Sequence, residues 1–186
     1  MSEYTYASKT LANGYRVVVV KDEDPGNPRK EWDNAGTVAL VDRCRYDFGD
    51  ERLSHDEIHA ITNDPSVIAL PIYMYDHSGI TINTTGFSCP WDSGQVGVIY
   101  ISRRDAVKEW GNKICTQTVA ERARKCLKAE IETLDQYITG CVYGYCAYDP
   151  DGQQTDSCWG FYGSIEDCLA EGVSAVEDRI YQGEEA

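Results

Sequence analysis

The run Val67-Ile-Ala-Leu-Pro-Ile-Tyr-Met-Tyr75 constrains the fold more than any other stretch of this chain. It is too apolar for a strand with one face in water, so it belongs in the middle of a sheet, with Pro71 marking a bulge or an entry point because it lacks a ladder N–H. Such a strand needs neighbours, and several runs qualify. Gly79-Ile-Thr-Ile-Asn-Thr84 alternates with period two and pairs antiparallel with it across the turn Asp76-His77-Ser78-Gly79. Gly97-Val-Ile-Tyr-Ile-Ser102 reads as another buried strand, and Thr37-Val-Ala-Leu-Val-Asp42 as a further one. Tyr15-Arg-Val-Val-Val-Val-Lys21 is β-branched and entered from the Asn13-Gly14 turn; the acidic, Pro- and Gly-broken stretch 22–30 that follows reads as a surface loop.

Helices are announced by their caps. Ser54-His-Asp-Glu57 is a capping box opening a short helix that ends near Asp64-Pro65, and Ser102 with Asp105 caps a helix over 103–110 stopped by Gly111. Thr118-x-x-Glu121 reads as a second box. After it, Val119, Ala123, Cys126, Leu127, Ile131, Leu134, Tyr137 and Ile138 keep helical spacing up to Gly140, with Arg122, Arg124, Lys125 and Lys128 on the other face. Residues 141–161 form a hairpin about Asp149-Pro-Asp-Gly152, which sets Cys146 opposite Cys158 and Tyr148 opposite Asp156. Ser164-x-x-Asp167 caps a last helix running to about Tyr181. The sum is an α+β fold, a largely antiparallel sheet with two longer helices packed on one face, in a single domain over 1–186.

Charge narrows the function classes. The chain has a formal charge of −14, and the deficit is uneven: residues 51–100 carry −5 and residues 141–186 carry −9, around a segment 101–140 at +2. Like charge repels nucleic-acid phosphate, so direct nucleic-acid binding is not expected, whereas mimicry of phosphate is permitted. Hydrophobic residues at 42% supply a core, which excludes a disordered acidic tail. No basic-then-apolar leader and no membrane-length apolar run occur, so the expectation is a cytoplasmic protein of a bacterial host with reduced thiols. The eight Cys contain no C-x2-C pair, and neither a metal nor another cofactor is expected.

No GxGxxG, Walker A, GxSxG or kinase signature is present, which favours a binding protein over an enzyme. Two short stretches echo each other, Trp32-Asp-Asn-Ala-Gly36 and Trp91-Asp-Ser-Gly94, each ahead of a strand. In each, Asp33 or Asp92 can accept N–H groups two residues on, and Gly36 or Gly94 can take a positive φ. Asp76, His77 and Ser78, with Asp92 and Ser93, are the candidate ligand-binding set, since a His beside a carboxylate and a hydroxyl can act as a general base, with Cys89 a matching nucleophile. His55 and His59 stand i, i+4 on one helix without the metalloprotease signature. Asp149, Asp151 and Asp156 lack the order and the terminal Glu of a calcium loop.

The motifs EWDNAGT, PIYMYDHSGITI, SCPWDSGQVGVIYIS, LDQYITGCVYGY and DSCWGFYG, in this order from about Pro28 to Gly163, resemble a family of small proteins carried by phages and plasmids for which no activity is established. That resemblance implies a mobile-element setting, in which a small acidic protein blocks a host defence or nucleic-acid-processing protein. The expected partner is a host protein with a basic surface, met by Asp56, Glu57, Asp64, Asp149, Asp151, Asp156, Glu166, Asp167 and Glu171. The alternatives are a small-ligand or nucleotide-binding protein, or a hydrolase, with its pocket at the two turns, and a structural or replication accessory.

Overall fold

The computed structural model describes residues Tyr4 to Glu184. In chain order the elements are β1 (Thr5–Thr10), β2 (Arg16–Lys21), α1 (Pro28–Glu31), β3 (Thr37–Val41), β4 (Glu51–Leu53), α2 (His55–Asn63) and β5 (Val67–Asp76). There follow β6 (Ile80–Asn83), β7 (Ser93–Ser102), α3 (Arg103–Glu109), α4 (Gln117–Thr139), β8 (Val142–Tyr148), β9 (Gln154–Tyr162) and α5 (Ile165–Glu184). The α+β class and the largely antiparallel pairing are those read from the sequence. The strands divide, however, between two sheets, and the chain gathers into two compact units. One holds β1, β2, β8, β9 and α5; the other is the intervening chain from α1 through α4. No helix among the described residues is long and apolar enough to cross a membrane.

The first unit is a four-stranded antiparallel sheet in the order β1-β2-β8-β9. Val17 and Val19 of β2 and Tyr143, Tyr145 and Ala147 of β8 share one face, because side chains alternate along a strand, and they pack against Cys168, Val173 and Val176 of α5. The helix sits close at Gly172. A Cβ there would lie 2.7 Å from Val17 Cγ1 and 2.8 Å from Tyr145 Cγ, so any side chain would hold α5 off the sheet. The predicted hairpin is present with a shifted register: Cys146 faces Ser157, Tyr145 faces Cys158, Ala147 faces Asp156 and Tyr148 faces Gln154. Irregularities between Tyr143 and Tyr145 and between Ala147 and Tyr148 account for the shift, since each extra residue moves every later pair.

The second unit carries the order β4-β3-β7-β5-β6, antiparallel except for the β3–β4 pair. The apolar run, β5, lies inside this sheet as expected. Pro71 is paired with Val98 and is not itself the bulge, which falls between Ile72 and Tyr73. The missing N–H is tolerated because β6 pairs only with residues from Tyr73 onward, leaving no strand beside Pro71 on that side. Leu127 of α4 reaches Ile99 of β7 over Gly36, on the face shared by Val38 and Leu40, whereas Ile58 of α2 lies by Val41, on the opposite face.

The caps on α2, α3 and α5 are those predicted. Ser54 Oγ accepts the Glu57 N–H and Glu57 Oε2 accepts the Ser54 N–H, Ser102 Oγ accepts the Asp105 N–H, and Ser164 Oγ accepts the Asp167 N–H. The box at Thr118 is a misreading, because α4 begins at Gln117 and it is Thr116 Oγ1 that accepts the Val119 N–H at 3.3 Å. The loop 22–30 likewise ends in structure. Asn27 Oδ1 accepts the Arg29 N–H at 2.9 Å, and Pro28 supplies a preset φ at the first turn of α1.

Candidate functional site

The nine carboxylates predicted to meet a partner fall in both units: Asp56, Glu57 and Asp64 on and after α2, and Asp149, Asp151, Asp156, Glu166, Asp167 and Glu171 on the β8–β9 hairpin and α5. Some have local duties. Asp149 Oδ1 accepts the Asp151 and Gln153 N–H groups and so builds the hairpin turn, and Asp156 Oδ1 accepts the Ser157 N–H. Glu57 is held below the usual carboxylate range by the Ser54 hydroxyl and then the Ser54 N–H, and Asp64 likewise by the hydroxyl and N–H of Ser66. Those bonds favour the ionised form. Among the described residues none of the nine is ion-paired with Arg, Lys or His.

On the first unit, Arg179 Nη1 donates to Thr155 O and ties the far end of α5 to the start of β9. Between these elements lies Tyr145, whose hydroxyl is pushed up to about 12, by burial first and then by the charges of Asp156, Cys158 and Glu171. The segments 1–26 and 140–186, which supply this unit, hold 14 acidic and 4 basic residues, a net of −10; the segment 27–139 holds 17 and 13, a net of −4.

The two turns of the ligand-binding alternative do meet, at one end of the second sheet. Asp76 N–H donates to Asp92 O at 2.8 Å, His77 Nδ1 lies 3.5 Å from Asp92 Oδ2, and Cys89 Sγ lies 3.6 Å from the same oxygen. Ser93 Oγ donates to Cys89 O, and Ser78 is held at φ 59, the one non-glycine residue with positive φ among those described. The order of groups is wrong for nucleophilic catalysis. Activating a thiol needs the imidazole between sulfur and carboxylate, whereas here the carboxylate lies between thiol and imidazole. Asp76 is also committed elsewhere, accepting from Arg45 Nη2 at 2.9 Å and Tyr46 Oη at 3.0 Å. His77 is 65% exposed and Trp91 is 92% exposed, so the site is an open rim.

The first Trp-Asp stretch is organised differently from the expected Asx turn. Gly36 is not in the positive-φ region; it is required because a Cβ would lie 2.3 Å from Leu127 Cδ2. The acceptor for the Ala35 and Gly36 N–H groups is not Asp33 but Glu130 of α4, at 2.9 and 3.2 Å. Beneath it lies Arg29, 5% exposed, whose five N–H groups are all used: Nε and Nη2 on Asp50, Nη1 on Asn34 Oδ1 and Glu130, and Nη2 on Gly36 O. Sequence reasoning missed this cluster by leaving Arg29 in a loop. The local signal was Asn27-Pro28, an N-cap followed by a first-turn proline. With no donor to spare, Arg29 is a clamp for the chain around it and not a ligand site.

Among the described residues no group of three or more His, Cys, Asp or Glu side chains is arranged to hold a metal ion. No family profile, curated protein or solved structure matches this chain.

Proposed function

We propose that this protein is a phage- or plasmid-borne accessory that binds and inhibits a host defence or nucleic-acid-processing protein, with its carboxylates standing in for phosphate. The observation that carries the reading is that, among the described residues, the six acidic candidates of the first unit are all without an ion-pair partner. Unscreened carboxylates fixed on a packed sheet and helix raise the potential that a cationic groove is built to receive. On α5, Asp167 and Glu171 stand one turn apart, and Trp159 of β9, 46% exposed, adds aromatic contact area. The rim at His77 and Asp92 supports the ligand-binding alternative less well, because Asp76 is already ion-paired and the site is open.

The test begins with immobilised protein, a bacterial lysate and elution by a salt gradient, followed by assay of the retained protein's nucleic-acid binding. A charge-mimic complex inhibits that binding and weakens by roughly tenfold or more between low and physiological salt. A variant with all six carboxylates replaced by Asn or Gln loses it. Retention and inhibition unchanged by salt and by the sixfold variant would sink the reading.

A further inference from the structure

In the first unit, β1 is an edge strand whose outer side is open. It pairs with β2 alone, and all of its residues except Ala7 are exposed. Just past the strand, the Leu11 N–H donates to Tyr15 O at 2.8 Å. Backbone groups alternate sides along a strand, so Lys9 and Ala7 also face β2, while the N–H and C=O of Ser8 and Thr10 point away from it. Among the described residues no strand receives them. On β9, the other edge of this sheet, Thr155 O is taken by Arg179 and the Gly160 N–H by Asp22. A row of outward backbone groups is a template for a further strand.

The sequence of β1 selects a second copy of itself as that strand. Two copies of one edge that join antiparallel into a continuous sheet are related by a two-fold axis normal to it, so one residue must face itself. With Lys9 on the axis, two ammonium groups would stand directly opposite each other. With Ala7 there, the ladder would leave the regular stretch at once on both strands, because the irregularity against β2 falls between Thr5 and Ala7. With Ser8 there, Ser8 exchanges both N–H···O bonds with its copy, and Lys9 lies opposite Ala7 of the second chain, next to the Tyr6 ring. β1 and β2 hold no acidic residue, and they carry Lys9, Arg16 and Lys21, three of the four basic residues of segments 1–26 and 140–186. The edge itself therefore brings no carboxylates together.

Apolar groups fall where this pairing needs them. Tyr6 packs edge-on against Tyr143, on the face that α5 covers, and Tyr4 packs edge-on against Tyr6. Beyond the other end of the strand, Leu11, Ile180 and Tyr181 line one notch. Tyr4, Tyr6 and Tyr181 are three of the seven large hydrophobic side chains exposed among the described residues, so exposed apolar surface gathers at both ends of this one strand. We infer that β1 is a homodimer contact: it pairs antiparallel with β1 of a second copy about a two-fold axis at Ser8, which joins two four-stranded sheets into one of eight strands and seats Tyr4 and Tyr6 of each chain against Leu11 and Tyr181 of the other.

The test is sedimentation equilibrium of the intact chain from micromolar to millimolar concentration. The apparent mass should rise from that of one chain toward that of two, and more readily at high salt, since two bodies of charge −14 repel at long range. Ser8→Pro removes the outward N–H at the axis, which an edge strand tolerates, and with two bonds lost per dimer it should weaken association by roughly tenfold. Ser8→Lys and Ser8→Glu each set like charges face to face at an exposed position and should weaken it by roughly fivefold. Mixing Ser8→Lys with Ser8→Glu chains should restore association, because position 8 faces itself in this register alone. Urea midpoints of the three variants at a dilution that keeps the chain monomeric should match the wild type, which separates loss of the contact from loss of the fold. The inference is overturned by a chain that stays monomeric throughout, by a dimer indifferent to all three substitutions, or by a mixture of Ser8→Lys and Ser8→Glu chains that associates no more tightly than either alone.

Discussion

Replacing Arg29 with Met keeps the apolar stem and removes the guanidinium, which makes it a direct test of the clamp in the second unit. The loss can be worked from the contacts. Three bonds to carboxylates go, two to Asp50 and one to Glu130, together with the bonds to Asn34 Oδ1 and Gly36 O. Glu130, 12% exposed, keeps its Ala35 and Gly36 donors, and Asp50, 28% exposed, keeps the Val38 N–H at 2.7 Å. Neither carboxylate keeps a counter-charge. Breaking such a pair from one side costs about 3–5 kcal/mol, and the partial exposure of Asp50 places the expectation near the lower end. Burial works against the charge of Arg29, but its bonds to Asp50 and Glu130 outweigh this and raise its pKa, so the guanidinium stays charged. A loss of about 3 kcal/mol is a large part of the roughly 5–15 kcal/mol that holds a domain together. Urea unfolding followed by tryptophan fluorescence reads it directly, with calorimetry expected to show a fall of roughly 10–20 °C. Arg29→Lys keeps the charge but cannot reproduce the five-donor fork, and it should recover less than half of the loss. If Arg29→Met costs under about 1 kcal/mol, or Arg29→Lys matches the wild type, the cluster does not clamp the fold.

Three further expectations come from single contacts. Gly172→Ala forces α5 off Val17 and Tyr145; overpacking of about 1–3 kcal/mol exceeds the helix-propensity gain of about 1 kcal/mol, so a lower urea midpoint is expected and an unchanged one refutes the close approach. The depressed Glu57 carboxylate contributes stability that is present above its unfolded value and is lost as pH falls through its lower folded value. In an NMR titration Ser54→Ala should move the Glu57 midpoint upward, and no movement contradicts the capping box. Tyr145, raised from 10.0 to about 12, contributes stability that is complete below pH 10 and lost as pH rises toward 12. Ultraviolet titration should therefore show more than one late-ionising tyrosine, since Tyr100 is also pushed up to about 12, and Tyr145→Phe should reduce the late amplitude by one tyrosine.

What the sequence disclosed follows from how local each signal is. The caps at Ser54, Ser102 and Ser164 need only four consecutive residues, and the β5–β6 hairpin needs only its turn and two alternating runs, so all four were legible. The division into two sheets was not. β2 pairs with β8, so the strand Arg16–Lys21 has its partner at Val142–Tyr148, and nothing in either pattern names the other. β1, whose sequence is TYASKT, and the three-residue β4 carry too little apolar alternation to be read as strands. The Arg29–Glu130 bond spans 101 positions, beyond the reach of any periodicity argument. At the rim, the meeting of His77 with Asp92 was legible because His77 directly follows β5 and Asp92 directly precedes β7, its antiparallel neighbour, while the position of the Asp92 carboxylate between His77 and Cys89 needed coordinates.

Some carboxylates of the second unit are committed to structure, whereas four on the first unit are not. In the second, acids are spent on structure: Asp135 accepts the Ile82 N–H and the Thr81 hydroxyl, Glu51 accepts from Tyr100, and Asp50 and Glu130 hold Arg29. In the first, Asp151, Glu166, Asp167 and Glu171 accept no hydrogen bond and meet no cation among the described residues, in segments with a net charge of −10. Self-repulsion of that size opposes folding, so these side chains are expected to lower stability. Asp151→Asn with Glu171→Gln, neither in the first turn of a helix, should then raise the unfolding temperature at low ionic strength, and the gain should vanish as added salt shortens the screening length to roughly 3 Å at 1 M. A fall in stability would mean that these carboxylates serve the fold after all, and the argument for a waiting cationic partner would lose its premise.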